Sequence, residues 1–498
     1  MPSLVGSEMC IRDRYGPSSS SGGISSGDWN SIGPGDGFRV LKHPTKNIIY
    51  SEMQGAENVW RYDVENKLVK TIQPLEQVGY EDLRFNWNAP MAISAHQPDR
   101  FYMGSQFLHK SEDMGDTWEI ISPDLSTNDS TKQQQVDSGG LSMDNSGAEN
   151  HTTIFTIAES PLDENIIWVG TDDGNVQVTK DGGKNWQNVV SNIQGLPSNT
   201  WTYHIEASVH GKGIAYAVFD GHNSGDMQPY VYKTSDFGMT WSNIITDNVI
   251  GTSRNIQEDY ENENLLFLGT EFGLYITADG GNHWEKFTKN IPPVAVHFID
   301  LQKQTNDLVL GTHGRGIIII EDISPLREIN TEVLKAKLHF FSSKPMKLSD
   351  ESGFSGSFGA ETQFVGENAN RSPQIKYLLP KRHTFGKMSM EIRDSSGEVI
   401  SKLTPGKSKG INIVNWSGNI KQPKIAKGKT LAFGGFATPR VQAGLYTAVI
   451  IKGKEVYEHT FEIVNDERSG LSLADRNLKH DIIDKMYTMT EELAFMVY

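Results

Sequence analysis

The stretch Ser111–Ile120, "SEDMGDTWEI", decides the fold because it recurs. It returns as "TKDGGKNWQN" from Thr179, "TSDFGMTWSN" from Thr234 and "TADGGNHWEK" from Thr277. Each copy has Ser or Thr, then Asp, Gly and Trp at fixed offsets. The repeated residues are Asp113, Gly115 and Trp118; Asp181, Gly183 and Trp186; Asp236, Gly238 and Trp241; and Asp279, Gly281 and Trp284. A catalytic acid is needed once, so four copies indicate a role in folding.

Short apolar runs precede each copy and divide the chain into repeating units. One run ends in a small residue, as in "NLLFLGT" at 264–270, and another lies further upstream, as in "TTIFTIA" at 152–158. Each unit therefore has four short strands separated by turns, which is the content of one β-propeller blade. We count about six blades between Gly35 and Leu326, and we expect them to be part of a seven-bladed or tandem propeller.

The repeated trio falls in the turn between the third and fourth strands of each unit. Its carboxylate can accept backbone N–H bonds within the turn, and its glycine can adopt positive φ. Its tryptophan can cover the space between neighbouring sheets. All three residue types are explained by folding one turn, so the pattern predicts architecture and no catalysis at these positions.

The rest of the chain changes character after the repeats. Residues 331–468 alternate apolar and polar positions, as in "GLYTAVIIKGKEVYEHTFEIV" at 444–464, which predicts an immunoglobulin-like β-sandwich. Residues 469–498 have apolar positions at intervals of three and four, which predicts a helical segment that is truncated. Residues 1–14 match no later pattern and are expected to be non-native sequence, leaving 15–330 as the propeller.

Composition excludes several classes of function. The net charge is −16, and no basic block occurs in the first three hundred residues, so nucleic acid is not an expected partner. No apolar run is long enough to cross a membrane. The single Cys10 and the spacing of the histidines predict neither an internal disulfide nor a metal site, and no motif predicts a cofactor.

The four copies resemble the Asp box, also called the bacterial neuraminidase repeat, which occurs in sialidases, xyloglucanase-type glycosidases and the sortilin propeller. Together with "LLFLGTEFGLYITADGGNHW" and "NDLVLGTHGRGIIIIEDISPL", they are similar to exported bacterial proteins described as sortilin-like or glycosyl-hydrolase-like. The resemblance covers residue 15 to the end. It implies a propeller at the cell surface, in the periplasm or outside the cell, and the chain would be the later part of a longer protein.

Strand direction predicts where a ligand would bind. If the Asp boxes lie at one end of the blades, the crossovers between blades and the turns between second and third strands lie at the other, which we call the front face. Two sets of residues are expected there. The candidate ligand-binding residues are Arg84, Asn86, Trp87, Asn88, His151, Trp201, Tyr203, Arg254, His313 and Arg315, and the turns add Asp172, Asp173, Asp220, His222 and Glu271.

Two functions remain open at this face. The leading hypothesis is an exported propeller that binds a protein, peptide or glycan. The alternative is a xyloglucanase- or sialidase-like glycoside hydrolase, for which Asp172, Asp220 and Glu271 are the weak catalytic candidates because hydrolysis needs two carboxyl groups at a defined separation. Each of these acids is also an ordinary turn residue, and that structural explanation is favoured. Whether the protein is an enzyme is left open.

Overall fold

The computed structural model describes residues 14–17, 23–33, 37–133, 150–348, 365–370, 372–425, 439–466 and 470–497. The predicted non-native segment 1–14 lies outside the described residues except for Arg14. Almost all regular structure is antiparallel β-sheet, and one long helix lies at the C-terminal end. The chain forms two compact units, the first centred on residues 24–327 and the second beginning at residue 328.

The first unit is a β-propeller with six blades. Five blades are four-stranded sheets in simple sequential order, and the described part of the sixth has three strands. The strands are Gly37–Lys42, Ile48–Met53, Asn58–Asp63 and Leu68–Thr71 in blade 1; Met91–Ile93, Phe101–Gly104, Leu108–Ser111 and Glu119–Ile120 in blade 2; Ile154–Ser160, Asp163–Thr171, Val176–Thr179 and Gln187–Asn188 in blade 3; Trp201–Ala207, Ala215–Asp220, Tyr230–Thr234 and Ser242–Asn243 in blade 4; Ser253–Glu258, Leu266–Thr270, Gly273–Thr277 and Glu285–Lys286 in blade 5; and Val296–Gln302, Asp307–Thr312 and Ile317–Ile320 in blade 6.

Short elements surround the blades. Before blade 1, the strands Arg14–Tyr15 and Asn30–Ser31 pair with each other, and Ile24–Ser25 is a further short strand. Single 3₁₀ turns cover Ser26–Asp28, Gln54–Ala56, Ser130–Lys132, Val190–Asn192 and His222–Ser224. The propeller unit ends with the one-turn helix Ser324–Arg327.

The first strands of the blades converge on a common axis. Arg39 from blade 1 lies 5.6 Å from the ring centre of Phe155 in blade 3 and 5.1 Å from that of Phe298 in blade 6. The same guanidinium donates a hydrogen bond of 2.9 Å to Asn88 from the crossover into blade 2. Because residues so far apart in sequence meet through one side chain, the first strands line the centre of the propeller.

Five of the six first strands contain a β-bulge close to their beginning. The pairing with the second strand skips a residue there, leaving Phe155, Tyr203, Arg254 and His297 as the extra residues in blades 3 to 6. In blade 1 the skipped stretch contains Phe38 and Arg39. A bulge re-aims the side chain that it carries, so these side chains depart from the simple alternation of the strand.

Hydrophobic side chains fill the space between successive blades. Between blades 4 and 5, for example, Tyr216 and Val218 pack with Ile256, Leu268 and the buried Trp284 in one cluster. Equivalent clusters join blades 1 and 2, 2 and 3, 3 and 4, and 5 and 6. Blades 2 to 5 thus each contribute to two of these cores, and most of the stabilisation by apolar burial is shared between neighbours.

The repeated turns have the same internal hydrogen bonds in all four copies. In blade 2, Asp113 accepts from the Thr117 backbone N–H at 2.8 Å, from the Thr117 hydroxyl at 2.7 Å and from the Ser111 hydroxyl at 2.8 Å. The Ser111 hydroxyl in turn accepts from the Gly115 backbone N–H at 2.7 Å. These bonds hold the pKa of Asp113 at about 2 although burial opposes the shift. Asp181, Asp236 and Asp279 make the corresponding contacts.

The glycine and tryptophan of each turn contact the preceding blade. Gly115 has a φ of 90°, and a Cβ there would lie 2.6 Å from the side chain of Ile72, which follows the last strand of blade 1. The indole of Trp118 donates to the Ile72 carbonyl at 2.7 Å. Trp284 likewise donates to the Ile244 carbonyl of the blade before it at 2.7 Å. The motif therefore stabilises both its own turn and the contact between blades.

The second unit is an immunoglobulin-like β-sandwich followed by a helix. Its core packs Trp416, Tyr377, Met390, Ile450 and Phe461, all 3% exposed or less. One sheet has three strands and the other five. The elements of this part are the helix Thr331–Lys335, the strands His339–Phe340, Met346–Leu348, Val365–Gly366, Gln374–Leu379, Met388–Arg393, Val399–Leu403, Gly410–Asn415, Gly444–Lys452 and Glu455–Asn465, and the C-terminal helix Leu473–Val497. None of the described helices is long and apolar enough to cross a membrane.

Candidate functional site

The front face is the end of the propeller opposite the repeated turns. The beginning of each first strand pairs there with the end of the second, as Trp201 does with Asp220 in blade 4 and Ser253 with Thr270 in blade 5. The bulges lie within two residues of this end. The front face therefore combines the turns between second and third strands with side chains that the bulges re-aim.

Three aromatic rings form a cluster at the front ends of blades 3 and 4. The ring of Phe155 lies 4.6 Å from Trp201 and 5.1 Å from Tyr203, and the latter two rings are 5.9 Å apart. Trp201 and Tyr203 are partly exposed, whereas Phe155 is buried. The indole N–H of Trp201 is covered and has no hydrogen-bond partner among the described residues. This cluster offers an aromatic surface beside a donor that the described part of the chain leaves unsatisfied.

A guanidinium joins this cluster to two carboxylates. Arg254, the bulge residue of blade 5, lies over the ring of Tyr203 at 5.1 Å. It forms an ion pair with Asp220 from blade 4 and a second one, of 3.2 Å, with Glu271 from blade 5. The side chain of Asp220 is fully buried, whereas that of Glu271 is 34% exposed. Only the second carboxylate therefore reaches solvent.

The charges of this group affect one another. Burial alone would lower the pKa of Arg254, but electrostatic interactions with Tyr203 and with the carboxylates of Asp220 and Glu271 raise it above the usual value. Burial raises the pKa of Tyr203, against the effect of the nearby arginines. At neutral pH the guanidinium is therefore charged and the phenol neutral, so Arg254 acts only as a hydrogen-bond donor.

Histidines from blades 4 and 6 surround the same group. His222 contacts Asp220 through its Nδ1 at 2.6 Å and is 37% exposed at its side chain. His297 is the bulge residue of blade 6, and its ring lies 5.4 Å from that of His313. Burial, followed by the positive charge of Arg254, lowers the pKa of His297 to about 4. At neutral pH this histidine is uncharged.

The carboxylates of Asp172 and Asp173 accept hydrogen bonds from other groups of the protein. Asp172 accepts from the Thr153 backbone N–H at 2.9 Å, from the Thr153 hydroxyl at 2.6 Å and from Asn86 at 2.9 Å. Asp173 accepts from Thr127 through its backbone N–H at 2.7 Å and its hydroxyl at 2.6 Å. Both carboxylates are 4% exposed or less. They anchor the crossovers of the front face and do not open to solvent.

The remaining predicted residues have varied environments. The Arg84 guanidinium bonds Asp124 at 2.7 Å, and Asn88 accepts from Arg39 at 2.9 Å. Trp87 is partly buried, and its ring lies 6.2 Å from that of Phe38. His151 lies 3.5 Å from Asp172, whose hydrogen bond raises the histidine's pKa.

The turn of blade 6 is open. His313 and Arg315 are both exposed there. Arg84 and Arg254, by contrast, each bind a carboxylate of the protein. Within the described residues, no group of three or more His, Cys, Asp or Glu side chains is arranged to hold a metal ion.

The sequence analysis missed four residues of this region. Arg39, Phe155 and His297 were missed because a bulge moves each of them off the alternation of its strand. Phe272 directly follows Glu271 and is 43% exposed, which is unusual for a phenylalanine. Its position in the turn "TEFG" was the one signal that could have identified it.

Comparison with known proteins gives two curated relatives. No protein-family model matches the chain. Over 214 residues it is 24% identical to an oligoxyloglucan-reducing end-specific xyloglucanase of Emericella nidulans, and over 215 residues it is 23% identical to a probable enzyme of the same name from Neosartorya fischeri. Each match covers 41% of this chain and 23% of the relative. The matched part of the chain thus spans about a quarter of the length of these relatives.

Two solved structures align with part of the chain. A GH74 xyloglucanase from Xanthomonas campestris aligns with a TM-score of 0.42 and 17% identity, covering 58% of this chain and 45% of that chain. YCF48 from Cyanidioschyzon merolae aligns with a TM-score of 0.41 and 11% identity, covering 59% of this chain and 85% of that chain.

Proposed function

We propose that the front face of the propeller binds a glycan at the group formed by Trp201, Tyr203, Arg254 and Glu271. The observation that carries this proposal is the combination of a partly exposed aromatic pair with an ion-paired arginine and a carboxylate that is 34% exposed. Sugar rings present apolar C–H faces and polar hydroxyl edges, so a site for them needs aromatic surface and a few fixed polar groups. The exposed Phe272 extends the apolar surface on the side of Glu271.

The ligand class follows from the curated relatives. Both are named as enzymes acting on xyloglucan oligosaccharides, so a branched β-glucan oligosaccharide is the ligand that we propose for this chain. Such a ligand is met outside the cell, and we propose that the protein works as an exported, sortilin-like or glycosyl-hydrolase-like Asp-box propeller. A protein or peptide ligand at the same face is the less favoured form of the proposal.

Calorimetric titration tests this binding. Xyloglucan-derived oligosaccharides are compared with unbranched cello-oligosaccharides. Trp201→Ala and Phe272→Ala are expected to weaken binding about tenfold or more each, as expected for aromatic anchors. Phe385→Ala removes an aromatic side chain that is 89% exposed in the sandwich unit, and it should leave binding unchanged. Binding that survives both front-face substitutions would refute this site.

The second candidate is glycoside hydrolysis at the same place, and the match to two xyloglucanases favours it. Asp220 and Glu271 bind the same guanidinium, so their carboxyl groups lie close together, as hydrolysis requires. Asp220, however, is fully buried, and Arg254 lies between the two acids. If hydrolysis occurs, Glu271 is the residue that can reach the substrate.

An assay of reducing-sugar release separates the two candidates. Glu271→Gln should abolish release if Glu271 takes part in hydrolysis, and Asp172→Asn serves as the control because that carboxylate is buried among protein donors. Turnover by the intact chain that Glu271→Gln removes would replace binding with catalysis as the function. Binding without release of reducing ends supports the glycan-binding proposal.

A further inference from the structure

The C-terminal helix Leu473–Val497 exposes a continuous apolar stripe. Its members are between 51% and 77% exposed, and successive members are four, four, three, four and three residues apart. At about 100° per residue this spacing confines them to an arc of about 80° over about 27 Å of helix. The stripe consists of Leu478, Ile482, Met486, Met489, Leu493 and Met496.

A different side of the same helix is held by the sandwich unit. Arg476 donates a hydrogen bond of 3.0 Å to the Asp466 carbonyl, and Glu491 accepts one of 3.2 Å from the Lys424 backbone N–H. Ala494, about one third of a turn away from the stripe, is only 3% exposed. The helix is therefore fixed in rotation, and the stripe points away from the contacts that anchor it, except at its end, where Met496 lines a hollow with Lys424 and Ile425.

Six large apolar side chains in a row are not an ordinary protein surface. Single exposed apolar residues are common, but a contiguous patch with polar borders is typical of an interaction site. The intervals of four and three residues are those with which two helices pack side by side. The stripe thus has the length and the spacing to take a second helix.

Charged residues beside the stripe indicate which helix binds to it. Lys485 and Glu492 are both exposed and lie on the same flank, one heptad apart. We propose that the stripe binds the same helix of a second copy of this chain, in the antiparallel direction. In that arrangement the flank that carries Lys485 and Glu492 faces the same flank of the second copy. Lys485 of each copy then lies opposite Glu492 of the other, which gives two ion pairs.

The same register pairs four of the six members of the stripe directly with an apolar residue. Met486 lies opposite Met489 of the second copy and Ile482 opposite Leu493, while Leu478 and Met496 are one residue out of register with each other. The two-fold axis passes near Tyr487 and Thr488. A parallel pair in register would instead place Lys485 opposite Thr490 and would leave Glu492 without a cationic partner. Charge and apolar pattern therefore favour one direction and one register.

The mass of the full chain in solution, measured by light scattering and by sedimentation over a range of concentrations, tests this dimer. Met489→Glu is expected to give monomers. Lys485→Glu should weaken the dimer about tenfold because it replaces two attractions with two repulsions. The double variant Lys485→Glu/Glu492→Lys should restore it. All these side chains are exposed, so the circular dichroism spectrum of each variant should be unchanged.

Cross-linking tests the direction, in a Cys10→Ser background. Chains carrying Met486→Cys should form a disulfide with chains carrying Met489→Cys, and more readily than either variant does with itself. A monomeric intact chain, a dimer unaffected by Met489→Glu, or a charge swap that fails to restore association would each overturn the proposal. Preferential cross-linking of Met486→Cys with itself would overturn the antiparallel arrangement.

Discussion

The two ends of the propeller use similar residues in opposite ways. At the rear, four turns repeat one set of hydrogen bonds, and each aspartate is satisfied by donors within five residues of itself. At the front, Asp220 and Arg254 reach across from one blade to the next. Repetition therefore indicates residues that fold the chain, and the front face, which lacks this repeat, is where we propose that a ligand binds.

The largest expected loss of stability comes from replacing a tryptophan at the rear of the propeller, and a tryptophan at the front gives the comparison. Trp284 at the rear is 1% exposed and joins two blades, so Trp284→Ala should lower the free energy of unfolding by about 3–5 kcal/mol. Trp201→Ala at the front should lower it by about 1–2 kcal/mol, because that ring is partly exposed. Urea unfolding followed by circular dichroism measures both. Equal losses would contradict the division of roles between the ends.

The second prediction concerns the buried ion pair of the front face. Arg254→Met leaves the fully buried Asp220 without its main partner and should cost about 3 kcal/mol. Adding Asp220→Asn should recover part of this loss, since the uncompensated charge is then removed. Arg84→Met is the matched control, because its partner Asp124 is 18% exposed. The same urea unfolding should show a smaller loss there.

The third prediction uses pH. The pKa of His297 falls from 6.5 to about 4 in the folded protein, so the folded state disfavours the protonated ring. Stability that is complete above pH 6.5 is therefore lost as the pH falls towards 4, by about 3 kcal/mol at the lower end. His297→Gln should flatten the curve of unfolding midpoint against pH within this window. An unchanged slope would show that other groups control it.

The smallest expected effect concerns one rear turn. Asp113→Ala removes three hydrogen bonds from a mostly exposed turn and should cost about 1 kcal/mol. Asp116, three residues later, only pairs with Arg61 and Lys70 at the surface, so Asp116→Ala should stay within about 0.5 kcal/mol. Thermal unfolding of the two variants side by side measures the difference. Equal losses of stability in the two variants would show that Asp113 contributes no more than the surface ion pairs of Asp116.

The fold could be predicted because its signal is local and repeated. The run "NLLFLGT" at 264–270 contains the strand Leu266–Thr270, and the turns "TADGGNHW" and "TSDFGMTW" follow third strands. Each of these patterns depends on residues within about ten positions of one another. The propeller, the sandwich and the C-terminal helix were all predicted from such local patterns.

The candidate site could be predicted only in outline. The sequence indicated which residues lie at the front, but not that Arg254 would lie over Tyr203 and between Asp220 and Glu271. That contact depends on bulges in neighbouring first strands, and a bulge shifts the side-chain direction without changing the apolar pattern. The burial of Asp172 and Asp173 was also hidden, since it depends on donors from Thr153 and Thr127 in other parts of the chain.

Arg39 gives the propeller a property that its apolar cores alone would not supply. The cores join each blade only to its neighbours, whereas this one side chain contacts Phe155 in blade 3 and Phe298 in blade 6 and bonds Asn88 before blade 2. A propeller stabilised only by cores between neighbouring blades could unfold one blade at a time. Because Arg39 contacts several distant blades, the loss of one blade weakens the contacts of the others. The propeller is therefore expected to unfold as a single cooperative unit.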